Sequence, residues 1–221
     1  MFAKKYLLMS LTALSLLAPA AQAGEFGVGL AVGTTGGTVE AKYTPVKNLA
    51  LRGNFNFLEF NTDQDYDGIN YDGDFNLTTL GGFLDVAPFG NAFVLSGGAY
   101  FGDKTLDFNA TPSSPVQIGG QTFTPEEVGT LTGDGKLNTV SPYFGLGYDS
   151  FMTSKGGWSF NARAGVMFTG SPEVNLISAN GTLSQDPRLM TELRAEVQNI
   201  EDDAEDYKYY PVLTIGLTRK F

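Results

Sequence analysis

The chain has 221 residues, 24 of them acidic and 14 basic, with 28 glycines and neither cysteine nor histidine. Without cysteine there is no disulfide framework and no thiolate metal site. Without histidine the usual general base of a hydrolase and the commonest zinc ligand are missing, and a formal charge of −10 argues against nucleic acid as a partner.

Residues Met1 to Ala23 read as a secretory signal. Lys4 and Lys5 form the positive start, Leu7 to Leu17 the apolar run, and Ala21-Gln22-Ala23 the small-x-small cleavage site. Cleavage leaves 24–221 as a single domain with 12 bases against 24 acids. Nothing downstream supplies the roughly 20 apolar residues of a membrane helix. A mature chain that lives in a membrane must then be a closed barrel, the other arrangement that satisfies every backbone group in hydrocarbon.

From Gly24 onward, apolar and polar residues alternate in segments separated by turn chemistry. Phe26, Val28, Leu30 and Val32 alternate with Gly27, Gly29, Ala31 and Gly33, before Thr34-Thr35-Gly36-Gly37 turns the chain. Val39, Ala41 and Tyr43 then oppose Glu40 and Lys42, with a tight return at Pro45-Val46-Lys47-Asn48. The third strand sets Leu49, Leu51, Phe55 and Phe57 against Arg52, Asn54 and Asn56, and an acidic loop follows. The fourth, about Phe75 to Val86, sets Leu80, Leu84 and Val86 against Phe83 and Asp85, and closes at Pro88-Phe89-Gly90-Asn91. The fifth sets Phe93, Leu95, Ala99 and Phe101 against Ser96, Gly98 and Tyr100; a loop from about Asp103 to Lys136 comes next. Val140, Pro142, Phe144 and Leu146 against Ser141, Tyr143, Gly145 and Gly147 make the sixth, which turns between Asp149 and Gly157. The seventh sets Trp158, Phe160, Ala162, Ala164, Val166 and Phe168 against Ser159, Asn161, Arg163 and Met167, and a second long loop covers about Thr169 to Lys208. In the last strand Leu213, Ile215, Leu217 and Phe221 fall on one face and Thr214, Gly216 and Thr218 on the other.

Eight strands, short returns at one end and three long loops at the other give an all-β fold: an eight-stranded antiparallel transmembrane β-barrel with long extracellular loops. A chain ending on Phe221, with Ile215 and Leu217 on the same face, is similar to the assembly signal by which such barrels engage the barrel-assembly machinery. Arg219 stands where that signal usually carries an aromatic, and its length allows it to snorkel to the periplasmic interface. Alternation alone is also compatible with a soluble, lipocalin-like barrel of inverted faces.

On the membrane reading, Glu40, Lys42, Arg52, Asp85 and Arg163 must face inward, because Lys or Arg on the lipid face near midplane costs about 2 to 4 kcal/mol. An eight-stranded barrel is just wide enough for side chains to fill, so this set either plugs the lumen or gates a narrow passage. Inward glycines in the first, fifth and sixth strands make room for it. Asp63, Asp65, Asp67 with Gly68, and Asp74 at the twelfth position have the spacing of a calcium loop. The competing reading is a solvated acidic hairpin tip, built on the turn dipeptides Asp67-Gly68 and Asp72-Gly73. No other cofactor is expected.

The last loop holds one amphipathic helix, about Pro187 to Asp206, capped by Asp186. Leu189, Leu193, Val197 and Ile200 make its apolar stripe; Glu192, Glu196, Glu201, Asp202 and Asp203 give it an acidic face. A lid over the barrel mouth that attracts cationic solutes is one use of such a helix. A soluble surface helix is the other. In the preceding loop, Ile118 to Phe123 reads as a small hairpin and Thr124-Pro125-Glu126-Glu127 as a helix start.

Val32-Gly33-Thr34-Thr35-Gly36, Ser141-Pro142-Tyr143-Phe144-Gly145-Leu146-Gly147, Thr169-Gly170-Ser171-Pro172-Glu173-Val174 and Tyr210-Pro211-Val212 carry a further signal. Together they make the chain resemble the CarO-type ornithine-uptake porins of proteobacterial outer membranes. The resemblance implies a barrel in the outer membrane of a Gram-negative bacterium, passing small solutes such as basic amino acids; we expect it to be a monomer in contact with lipid and lipopolysaccharide. It supplies no substrate residues. The alternative is a plugged structural barrel, comparable to OmpA and OmpX, whose loops contact lipopolysaccharide or other cells.

Overall fold

The computed structural model describes residues 24–66, 69–204 and 208–221, with side chains described outside 63–71. The signal sequence lies outside the described residues. The strands β1 (Glu25–Gly33), β2 (Gly36–Val46), β3 (Leu49–Tyr66), β4 (Ile69–Val86) and β5 (Phe93–Pro112) follow one another as an antiparallel meander. A two-stranded hairpin, β6 (Val116–Ile118) and β7 (Gln121–Phe123), and the one-turn helix α1 (Pro125–Val128) precede β8 (Gly129–Lys136). The chain then returns to the barrel in β9 (Val140–Asp149), a short 3-10 turn Ser150–Met152, and β10 (Gly157–Phe168). Finally it leaves as β11 (Glu173–Asn180) and α2 (Pro187–Asp203), and comes back in β12 (Tyr209–Lys220).

Eight of these strands close a ring in the order β1, β2, β3, β4, β5, β9, β10, β12, sealed by β5 on β9 and by β12 on β1. Closure leaves the ring no free edge, as hydrocarbon requires. Leu30, Val32, Leu80, Phe144, Leu213, Ile215 and Leu217 all point outward and are exposed. Among inward positions, Glu40, Asn56, Asp85, Ser96 and Asn161 are almost wholly buried. These are the faces of a membrane barrel, and a lipocalin-like interior is excluded. At the tight return into β3, Asn48 takes a φ of 69°, a left-handed conformation that asparagine tolerates better than most residues.

What the sequence reads as two long loops and an acidic loop is in large part sheet. β3 and β4 stay paired from Leu49 with Val86 out to Tyr66 with Ile69, so the acidic stretch is the end of a long hairpin. Eighteen residues of strand extend about 60 Å, far more than the roughly 25 Å apolar band of such barrels, and the surplus stands outside the membrane. There β5 parts from β9, pairs with β8, and β8 pairs with β11, making a five-stranded extracellular sheet with β3 and β4.

The hairpin and the helix are found where the sequence puts them, the helix ending at Asp203 with Ala204 as its C-cap; Glu205 and Asp206, the expected last residues, lie outside the described residues. Asp186 caps α2, its carboxylate accepting from Arg188 N–H at 2.8 Å, and Pro187 opens the first turn. The stripe of α2 faces that sheet and hairpin, Leu189 and Leu193 sharing a core with Ala110, Ile118, Phe123, Val128 and Leu131, while Val197 and Ile200 are half-buried.

Candidate functional site in the barrel lumen

The periplasmic half of the lumen is occupied by a plate of buried charge. Glu40 and Lys42 come from β2, Arg52 from β3, Asp85 from β4 and Arg163 from β10, each brought inward by the period of two along its strand. A sixth member, Asp149 at the end of β9, joins them. Sequence reading assigns Asp149 to a turn, although it continues the inward series Ser141, Tyr143, Gly145, Gly147. With it, three acids meet three bases and the plate is neutral.

The geometry is a continuous network. Arg52 holds Asp85 with two parallel bonds, Nε to Oδ2 at 2.7 Å and Nη2 to Oδ1 at 3.1 Å, while Ser96 Oγ donates to Asp85 Oδ1 at 2.6 Å. Lys42 Nζ lies 2.9 Å from Glu40 Oε1 and 2.7 Å from Asp149 Oδ2. Arg163 reaches all three carboxylates: Glu40 at 3.4 Å, Asp85 at 3.9 Å, and Asp149 in direct contact. Glu40 also accepts from Asn161 at 3.1 Å and from Thr218 at 2.8 Å. Nε of Arg163 is buried without a hydrogen-bond partner among the described residues. Paired charges of this kind are costly to desolvate and lose far more when one partner is removed.

Above the plate stands a ladder of amides and hydroxyls. Thr38 donates to Asn56 at 2.8 Å, and Asn56 donates to Asn54 and to Thr79, each at 3.1 Å. Beside it the rings of Phe83, Tyr100 and Tyr143 form an edge-to-face triangle with centroids 4.9, 5.3 and 5.6 Å apart. The Arg52 guanidinium sits 4.1 Å from the Phe83 centroid and joins plate to triangle. Leu77, Met167 and Val212 fill the space toward the extracellular mouth. Inward glycines do make room: a Cβ at Gly98 or Gly145 would drive into the Phe83 or Tyr143 ring, and one at Gly147 would meet Arg163 Cγ at 3.0 Å.

The remaining sequence candidates are dispersed. Asp63 and Asp65 lie on the β3 ladder opposite Asp72 and Asn70; their side chains, and Asp67 and Gly68 entirely, fall outside the described residues. Asp74 stands on β4 between Asn61 and Asp107, so the backbones of Asp63, Asp65 and Asp74 lie on the paired strands β3 and β4. Among the described residues no group of three or more acidic side chains could hold a metal ion.

The acidic helix packs its two buried leucines, Leu189 and Leu193, on the extracellular sheet and hairpin. Three of its acids are fastened there: Glu192 accepts from Gln121 at 3.0 Å, Glu196 from the N–H of Gly119 at 2.9 Å, and Glu201 from the N–H of Val174 at 3.0 Å. Asp202 and Asp203 are exposed at its end. Of the terminal residues, Ile215 pairs with Val32 and Ala162, and Leu217 with Leu30 and Phe160. Phe221 donates its N–H to Phe26 O at 2.8 Å across the closing seam. Arg219 turns outward and places its guanidinium 5.8 Å from the Trp158 ring centroid.

An eight-stranded ring, apolar outside, ionic inside and drawn out on one end, defines an outer-membrane β-barrel of porin-like form. Among solved structures, CarO2 of Acinetobacter baumannii shares the fold with a TM-score of 0.60 and 23% identity, over 89% of this chain and 98% of that one. CarO of the same organism does so with a TM-score of 0.58 and 22% identity, over 88% and 97%. No protein-family model and no curated protein matches the sequence. The likeness bears out, at the level of fold, the resemblance carried by the short motifs, and the fold locates the chain in the outer membrane of a Gram-negative cell.

Proposed function

We propose that the protein is a narrow, gated, porin-like barrel that rests closed and passes small cationic or neutral solutes, basic amino acids being the class its resemblance suggests. The observation that carries this reading is Arg163, held jointly by Glu40, Asp85 and Asp149. A guanidinium shared among three carboxylates can exchange partners without leaving a charge unpaired, which is what a gate inside a desolvated lumen needs. The excess of acids over bases supports a preference for cations by raising their concentration at the outer surface.

Planar-bilayer recordings test it. Discrete cation-selective steps that change in Arg52→Ala or Asp85→Ala are expected; a silent bilayer with the wild type and both variants overturns the reading. Swelling of proteoliposomes in ornithine against glutamate checks the charge preference, and equal rates remove it.

A second reading is favoured by the aromatic triangle and the apolar group above it, which pack together within the lumen. In it the barrel is a plugged anchor that displays the extracellular sheet and helix to lipopolysaccharide or to other cells, directly or through divalent ions held by loop carboxylates. Either way the chain would act as a monomer, delivered to the membrane by the assembly machinery that reads its last strand.

A further inference from the structure

The barrel has a second closure below the charged plate. The turn between β4 and β5 hangs outside the ring, with Phe89 74% exposed, whereas the turn between β9 and β10 folds back into the lumen and buries Phe151 completely. Its ring rests against Gly27 on β1, where any Cβ would collide with it. The ammonium groups of Lys42 and Lys220 lie 5.6 and 4.9 Å from its centroid. Lys220, itself buried, donates to Phe151 O at 2.9 Å and Ser154 O at 2.7 Å and ion-pairs with Glu25, so the closing strand grips the turn.

Asp149 connects this turn to the plate. Its Oδ1 accepts the N–H of Phe151 at 3.0 Å, while its Oδ2 takes Lys42 and Arg163. On the other side the turn ends in Gly156 and Gly157, at φ 125° and 85°. A Cβ on either would meet nothing, so it is the backbone conformation that calls for glycine there.

We infer that residues 150–156 form a hinged periplasmic plug, with Phe151 as the stopper, the two glycines as the hinge and Asp149 as the positioning residue that releases the plug when Arg163 and Lys42 change partners. This rests on the passage reading for its purpose, but the plug can be tested apart from it. The chain has no cysteine, so introduced thiols report alone. Ser159→Cys places a thiol on a lumen wall that is 1% exposed, bonded through Ser159 to Ser154 of the plug at 3.2 Å. In the full-length protein in proteoliposomes, a charged methanethiosulfonate reagent on the periplasmic side should modify it slowly. Adding Phe151→Ala should speed that reaction about tenfold or more, since losing a buried ring shifts a local opening equilibrium at least that far. An unchanged rate overturns the plug. In bilayers, oxidised Ser154→Cys/Ser159→Cys should lose the conductance that a thiol reductant restores; conductance indifferent to oxidation also overturns it. Faster labelling in Phe151→Ala with every bilayer silent would uphold the plug and sink the passage reading alone.

Discussion

At the scale of single residues, neutrality and saturation hold the lumen. Each carboxylate of the plate meets at least two donors, and the bidentate hold of Arg52 on Asp85 is the best-formed pair in it. Removing one partner strands the other charge out of water, at a cost of about 3 to 5 kcal/mol. Arg52→Met alone should therefore lower the unfolding free energy by that amount in urea titrations from lipid vesicles. Arg52→Met/Asp85→Leu should recover most of it, because an apolar pair carries no stranded charge. A double variant as unstable as the single one would mean that Asp85 is held by Arg163 and Ser96 in its own right.

At the scale of elements, the extracellular sheet shows what strand pairing does to charge. The register puts Asp74, Asp107 and Asp134 directly opposite one another across β4, β5 and β8, flanked by Asn61 and Asn175. Like charges facing across a sheet destabilise it by about 0.2 to 1 kcal/mol per pair. Lys136 at 3.4 Å and Asn175 at 3.3 Å relieve Asp134, at the β11 side of the row. Asp107→Asn, in the middle, should slow amide exchange in β5 and β8, most clearly at low salt; faster exchange would show that Asp107 has an attractive partner. The alternation of these strands was present in Leu106, Phe108 and Ala110 against Asp107 and Asn109. It reads as loop because a lipid-facing strand is recognised by one greasy face, and here the face turned away from the core meets water.

At the scale of the whole molecule, two cores with different solvents share one sheet. Inside the membrane the outer face is apolar and the centre is ionic toward the periplasm and aromatic and apolar above it; outside, β6, β7, α1 and α2 cover an apolar core of ordinary sense. The boundary can be probed on the last strand. Ile215→Arg puts a charge at the middle of β12 on the lipid face and should cost about 2 to 4 kcal/mol, read as loss of the heat-modifiable gel shift at lower urea. Arg219→Leu, at the interface beside Trp158, should change that midpoint little. Equal effects would mean that residue 215 is not at lipid depth.

The sequence by itself determined the ring: a period of two fixes which side chains turn inward, and short returns at one end fix the orientation, because both are local properties of the backbone. It also determined α2 and its cap, and the five inward charges. Only the tertiary structure decided how those charges pair, that Asp149 completes them to neutrality, that α2 packs on the extracellular sheet and hairpin, and that Phe151 is buried against Gly27, Lys42 and Lys220. These depend on which strands become neighbours across the ring. Asp149 and Lys42 are 107 positions apart in the chain and 2.7 Å apart in space, and no local pattern records that distance.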